Sequence, residues 1–140
     1  MTDYTNKPKL VTISQPGDYT VRICKIRDED CTQTQAGAPK IKVLMTTQDG
    51  QKINDTFFGS TDGAIKRAYA FVATATQAKD LKLPGKSEAE LRGFLALAEG
   101  KTIKVTVVRE DVTFSSGELK TISKVTKFHK HSIQQEAPPF

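Results

Sequence analysis

Apolar and polar residues begin to alternate after Gly17: Tyr19, Val21 and Ile23 stand against Thr20, Arg22 and Cys24, the period of a half-buried strand. Residues 1–16 lack such a period. Tyr4, Leu10, Val11 and Ile13 are scattered, and Pro8 and Pro16 interrupt any long element, so this stretch reads as an arm. Residues 27–39 are polar, contain Gly37 and Pro39, and read as a long loop. Alternation resumes with Ile41, Val43 and Met45 against Lys42, Leu44 and Thr46.

Asp49-Gly50 then gives a strong hairpin signal. With those two as the central turn residues, Ile41 pairs with Phe58, Val43 with Thr56 and Met45 with Asn54 on the core face. Lys42 pairs with Phe57, Leu44 with Asp55 and Thr46 with Ile53 outside. Phe58 is thus expected in the core and Phe57 beside Lys42 on the outer surface; a bulge would invert both.

The middle of the chain changes to a helical period. Thr61 or Asp62 caps a helix with Ile65, Ala68, Tyr69 and Val72 on one face. Leu81, Leu83, Pro84 and Gly85 form a connector. A second helix opens on the capping box Ser87-x-x-Glu90, buries Leu91, Phe94, Leu95 and Ala98, and stops at Gly100. From Ile103 the strand period returns. A turn at Ser116-Gly117 pairs Val105 with Phe128, Thr106 with Lys127 and Lys104 with His129. The same count leaves Val108, Phe114, Leu119 and Val125 facing outward, which requires either a bulge or an apolar end to this hairpin. Residues 132–140 have no period and read as a flexible tail.

Three strands, a helical insertion and two strands is the order of a mainly β, OB-fold-like five-stranded barrel, with the insertion between strands 3 and 4. A ferredoxin-like fold needs a helix where residues 27–39 sit, and an SH3-like barrel lacks the insertion. The expected organisation is an arm (1–16), one domain (17–131) and a tail (132–140).

Composition narrows the chemistry. With 140 residues, 37% of them hydrophobic and 26% charged, the chain has the make-up of a globular protein rather than a disordered one. No apolar run approaches the 18 residues of a membrane span, no secretory leader is visible, and two cysteines suit a reducing cytoplasm. The net charge of +5 is uneven: +2 over residues 1–100, +4 over 101–131 and −1 over the last nine. From Leu119 to His131 there is no carboxylate.

Cys24, Cys31, His129 and His131 lack the spacing of a structural zinc site. No nucleophile elbow, Walker loop or dinucleotide glycine pattern occurs. The acidic run Asp28-Glu29-Asp30 admits a metal-dependent nuclease only as a remote reading; no catalysis and no cofactor are expected. Single-strand nucleic-acid binding accounts for more of the residues, because it needs a basic groove with aromatic faces for stacking. Candidate residues are Lys40, Lys42 and Lys52 with Phe57 on the second and third strands, and Arg27 at the first loop. Arg109, Phe114 and Lys120 bracket the last loop, and Lys124 and Lys127 line the final strand.

Gly17, Tyr19 and Val21, followed by Gly100, Lys101, Val105 and Val107, resemble the phage-encoded single-stranded DNA-binding proteins of the OB-fold class over about residues 17–130. The resemblance implies a protein that coats single-stranded DNA in phage replication or recombination, with little sequence preference, in the host cytoplasm. The ending Pro138-Pro139-Phe140 is similar to the tip of bacterial single-stranded DNA-binding proteins, where an acidic tail recruits partner enzymes. Pro139 and Phe140 would then bind replication or recombination proteins, although only Glu136 stands where an acidic run is usual. A protein-interaction OB module, such as a phage assembly or host-factor adaptor, is the alternative. Self-association through the arm, hairpin end or tail stays open.

Overall fold

The computed structural model describes residues 10–130. Along the chain come β1 (Val11–Thr12), β2 (Gly17–Ile23), a 3-10 turn (Asp28–Asp30), β3 (Cys31–Gln33), β4 (Pro39–Thr46) and β5 (Gln51–Phe58). The helices α1 (Asp62–Thr76) and α2 (Glu88–Ala96) follow, then β6 (Thr102–Thr113) and β7 (Leu119–Lys130). The chain is mainly β, and its strands form one sheet in the order β1-β5-β4-β2-β6-β7, with β3 also paired to β4. The sheet is open: β5 and β7 share no backbone ladder.

Helix α1 lies against β5, β6 and β7 and covers the seam between β5 and β7. Its fully buried Phe71 meets Phe57 of β5 at 4.8 Å and Phe128 of β7 at 5.2 Å between ring centroids. Both helix starts follow from sequence. Thr61 Oγ1 accepts the Ala64 N–H at 3.0 Å, and Ser87 Oγ accepts the Glu90 N–H at 3.1 Å, so each satisfies a donor the first turn leaves unpaired. After α2, the Gly100 N–H donates to the Ile23 carbonyl at 2.8 Å and leads β6 in beside β2.

Three sequence expectations need correction. The arm is partly built into the fold: Val11 and Thr12 pair in parallel with Gln51 and Lys52, and Ile13 is fully buried. A two-residue strand is too short to show a period. The loop of residues 27–39 holds the 3-10 turn and β3, which turns back onto β4 through a loop closed by Thr34 and Ala38.

The β4–β5 turn is the third. Thr47 and Gln51 close a three-residue loop, with Thr47 N–H donating to the Gln51 carbonyl at 2.9 Å. Gly50 takes φ +91°, a left-handed position that glycine adopts without steric cost. The extra loop residue moves the register by one. Ile41 pairs with Phe57, Val43 with Asp55 and Met45 with Ile53, while Lys40 pairs with Phe58 and Lys42 with Thr56. Phe57 is therefore a core residue, 1% exposed, and Phe58 is half-buried on the outer face.

The β6–β7 pairing is as expected at its inner end: Val105 with Phe128, Thr106 with Lys127, Lys104 with His129. Its loop also has three residues, closed by Phe114 and Glu118, with Gly117 at φ +87°. A bulge between Thr106 and Val107 offsets this, because Val107 pairs with Val125 and leaves Thr126 as the extra residue. Two one-residue irregularities cancel. Both alternatives for the outward apolar residues are realised: Val125 is buried, while Phe114 and Leu119 stay exposed at the hairpin's far end, joined there by Ile122.

Candidate nucleic-acid interface

Along an unbroken strand, residues three apart face opposite sides. Lys124 and Lys127 would do so on β7, but the extra residue Thr126 restores them to one side, opposite Val108 and Thr106. That side continues across the sheet. Register carries it from Lys104 on β6 to Thr20 on β2, and from Arg22 on β2 to Thr46 on β4 and Lys52 on β5. Lys40 and Lys42 of β4 share it, with Phe58 directly opposite Lys40.

The outer side of the sheet thus carries Arg22, Lys40, Lys42, Lys52, Lys104 and Lys127, with Phe58 beside Lys40 at one end of β5. Among the described residues none of these six cations lies within ion-pair distance of a carboxylate. Asp18 shares the face but accepts a 2.7 Å hydrogen bond from Thr106 Oγ1, which also lies 2.8 Å from His129 Nε2.

The remaining candidates are otherwise engaged. Arg27 sits 3.3 Å from Glu29 and 3.5 Å from Asp30, and Asp30 also accepts the Arg27 backbone N–H. Asp28 holds Arg92 of α2 at 2.8 Å. The acidic run is therefore the clamp between the first loop and α2. Arg109 donates to Ser123 Oγ at 2.7 Å and to the Thr121 carbonyl at 3.3 Å. Lys120 lies 3.8 Å from Glu118 and 5.0 Å from the Phe114 ring centroid, and Lys124 lies 3.5 Å from Glu110. Phe57 cannot stack on a base from inside the core. Pro139, Phe140 and His131 lie outside the described residues.

Sequence reasoning missed Phe58, Arg22 and Lys104. The signal for Phe58 was present: Ile53 is the apolar residue that opens the inward set of β5, and counting from it in twos reaches Asp55 and Phe57.

Asp55 is the exception in that inward set. Its side chain is 11% exposed and meets Arg67 of α1 at 2.7 Å. Arg67 also donates to the Val125 carbonyl at 3.4 Å and lies over the Phe57 and Phe128 rings at 5.1 and 5.2 Å, so it ties β5, α1 and β7 together across the seam. Ser123 Oγ donates to the Ile13 carbonyl, a second tie. Burial raises the Asp55 carboxyl above its ordinary range, while the hydrogen bond and charge of Arg67 pull it down.

The folded chain therefore holds this proton more tightly than the unfolded one, and its contribution to stability falls as pH rises through that interval. Exposed Asp49 and Asp62 shift the other way, Asp49 through hydrogen bonds from Thr47 and Gln51, and Asp62 through Lys86. The difference between wild type and Asp55→Asn isolates the buried group. Between about pH 4 and pH 6 the urea midpoint of wild type, taken relative to that of the variant, should decline as pH rises. Parallel curves would assign no such role to Asp55.

Cys24 and Cys31 are free thiols, and burial raises that of Cys31. Among the described residues no three His, Cys, Asp or Glu side chains gather as a metal site, and no helix is long and apolar enough to cross a membrane. The chain matches no protein-family model and no curated protein.

Proposed function

We propose that the chain binds single-stranded DNA on the outer face of its sheet, without catalysis and with little sequence preference, as a coating protein in phage replication or recombination. The observation that carries this reading is the set of six cations on the outer side of the sheet, shared with Phe58, that no described carboxylate neutralises. A cation held in an ion pair must lose that partner before it meets a phosphate, whereas these six need not. The strand order β5-β4-β2-β6-β7, with the helices inserted between β5 and β6, supports an OB-like barrel opened at the β5–β7 seam.

Each phosphate neutralised releases counterions, so affinity must fall with salt. Six contacts at about −0.7 each give a log–log slope of about −4. Fluorescence anisotropy of a labelled oligothymidylate of 20 nucleotides across a salt series tests it. A slope near zero, or no binding, rejects the reading.

The hairpin end favours a second reading. Its cations are paired internally and its Phe114, Leu119 and Ile122 are exposed, which suits a protein contact better than a polyanion. On that reading the chain is an interaction module and the oligonucleotide stays unbound.

A further inference from the structure

Between β5 and β7, beside the six-cation face, lies a cleft of about 420 Å³ lined by Asp55, Thr56, Phe58, Arg67, Lys124, Val125 and Thr126. We propose that this cleft takes the edge of one unstacked nucleobase, guanine best, so that binding along the face is biased at a single position. The inference rests on the single-strand reading above.

The charges in the cleft cancel, which decides the ligand. Arg67 is neutralised by Asp55 at 2.7 Å, and Lys124 is shared with Glu110 at 3.5 Å. A phosphate would have to break one of these pairs. What the cleft offers is a carboxylate acceptor beside a guanidinium donor, with Phe58 on the same lining, and this matches a neutral planar group with donors and acceptors on one edge. Only the Nη2 group of Arg67 is committed, to Asp55 and to the Val125 carbonyl, so other N–H donors remain. Oδ2 of Asp55 accepts from Arg67 and the Thr56 backbone N–H also supports the carboxyl, so two of a carboxylate's roughly four acceptor sites remain.

Guanine places two donors, N1–H and the 2-amino group, side by side for a carboxylate, with O6 next to them for a donor. Adenine, cytosine and thymine each present a single donor in that setting. Phe58 lies at the join, pairing with Lys40 on the outer face and lining the cleft wall. A strand crossing the face therefore passes the cleft mouth. The same burial that raises the Asp55 carboxyl strengthens any hydrogen bond made there, because less water competes. A buried, charge-paired, pKa-shifted carboxylate in a cleft is also a common mark of a binding site.

The test compares four 20-nucleotide strands: oligothymidylate, and the same strand with one central guanine, inosine or adenine. Inosine is guanine without the 2-amino donor. The guanine strand should bind about tenfold tighter than the inosine strand, the usual worth of a bidentate base contact. Asp55→Asn should bring that ratio to one. Thr126→Trp, placed at the exposed bulge so that the indole fills the cleft, should do the same and covers the case in which the first variant fails to fold. Equal affinities for guanine and inosine strands in wild type would overturn the proposal, as would a guanine advantage that survives the filled cleft. Absence of binding to oligothymidylate itself would instead overturn the single-strand reading, so the two failures are distinct.

Discussion

Phe57→Ala should destabilise the protein by about 3–5 kcal/mol, most of the margin of a marginal domain. The ring is 1% exposed and packs against Phe71 at 4.8 Å and Phe128 at 6.3 Å, with the Arg67 guanidinium at 5.1 Å. Its removal leaves a cavity where β5, α1 and β7 converge, and this seam has no backbone ladder to hold it. The loss therefore reaches Arg67, which would lie over one aromatic face instead of two. Urea denaturation followed by circular dichroism measures the effect. A midpoint within error of wild type would contradict the core assignment. Phe58→Ala is the matched control: it should leave stability nearly unchanged and weaken oligonucleotide binding by roughly the 1–3 kcal/mol of one stacked base.

The second large effect concerns charge. Replacing Lys40, Lys42 and Lys52 together with alanine should lower affinity for the 20-nucleotide strand roughly fifty-fold near physiological salt and flatten the slope by about 2. Each lysine that meets one phosphate releases its share of counterions. Stability should hold, because all three side chains lie on the outer face of β4 and β5 and none is in an ion pair among the described residues. The same change at Arg109, Lys120 and Lys124 should cost far less, since Lys120 and Lys124 already face Glu118 and Glu110. Equal losses from the two triples would show that pairing does not decide which cations act.

Much of this architecture was legible in the sequence. Both helices begin where the residues announce caps, at Ser87 and at Thr61 of the Thr61–Asp62 pair, because capping is a local interaction that needs nothing from the rest of the chain. The inner β6–β7 register was legible too, but through compensation: the three-residue loop shifts it one way and Thr126 shifts it back. On β4–β5 nothing cancelled the same loop geometry, so Phe57 and Phe58 exchanged sides. An Asp-Gly or Ser-Gly pair marks a turn without fixing whether two or three residues form it, and that single residue inverts a strand. The candidate site depended on that choice, and so did its aromatic member. The cations on β4 survived the shift because β4 kept its faces, whereas Lys52 on β5 moved to the outer side together with Phe58. Arg22 and Lys104 could not be placed from the sequence, since they join the site through pairings between strands distant in the chain. Nor could pairing to carboxylates be read, and it is what separates Lys42 from Lys124.

β7 is the last strand of the sheet, and its Thr121 and Val125 carbonyls turn away from β6. Arg109 holds the first and Arg67 the second. A stray strand seeking to extend the sheet would have to displace both guanidinium groups before finding those acceptors. Exposed strand borders are templates for fibrous aggregation. Here two arginines act as a selvedge, finishing the fabric where it would otherwise unravel into its neighbours.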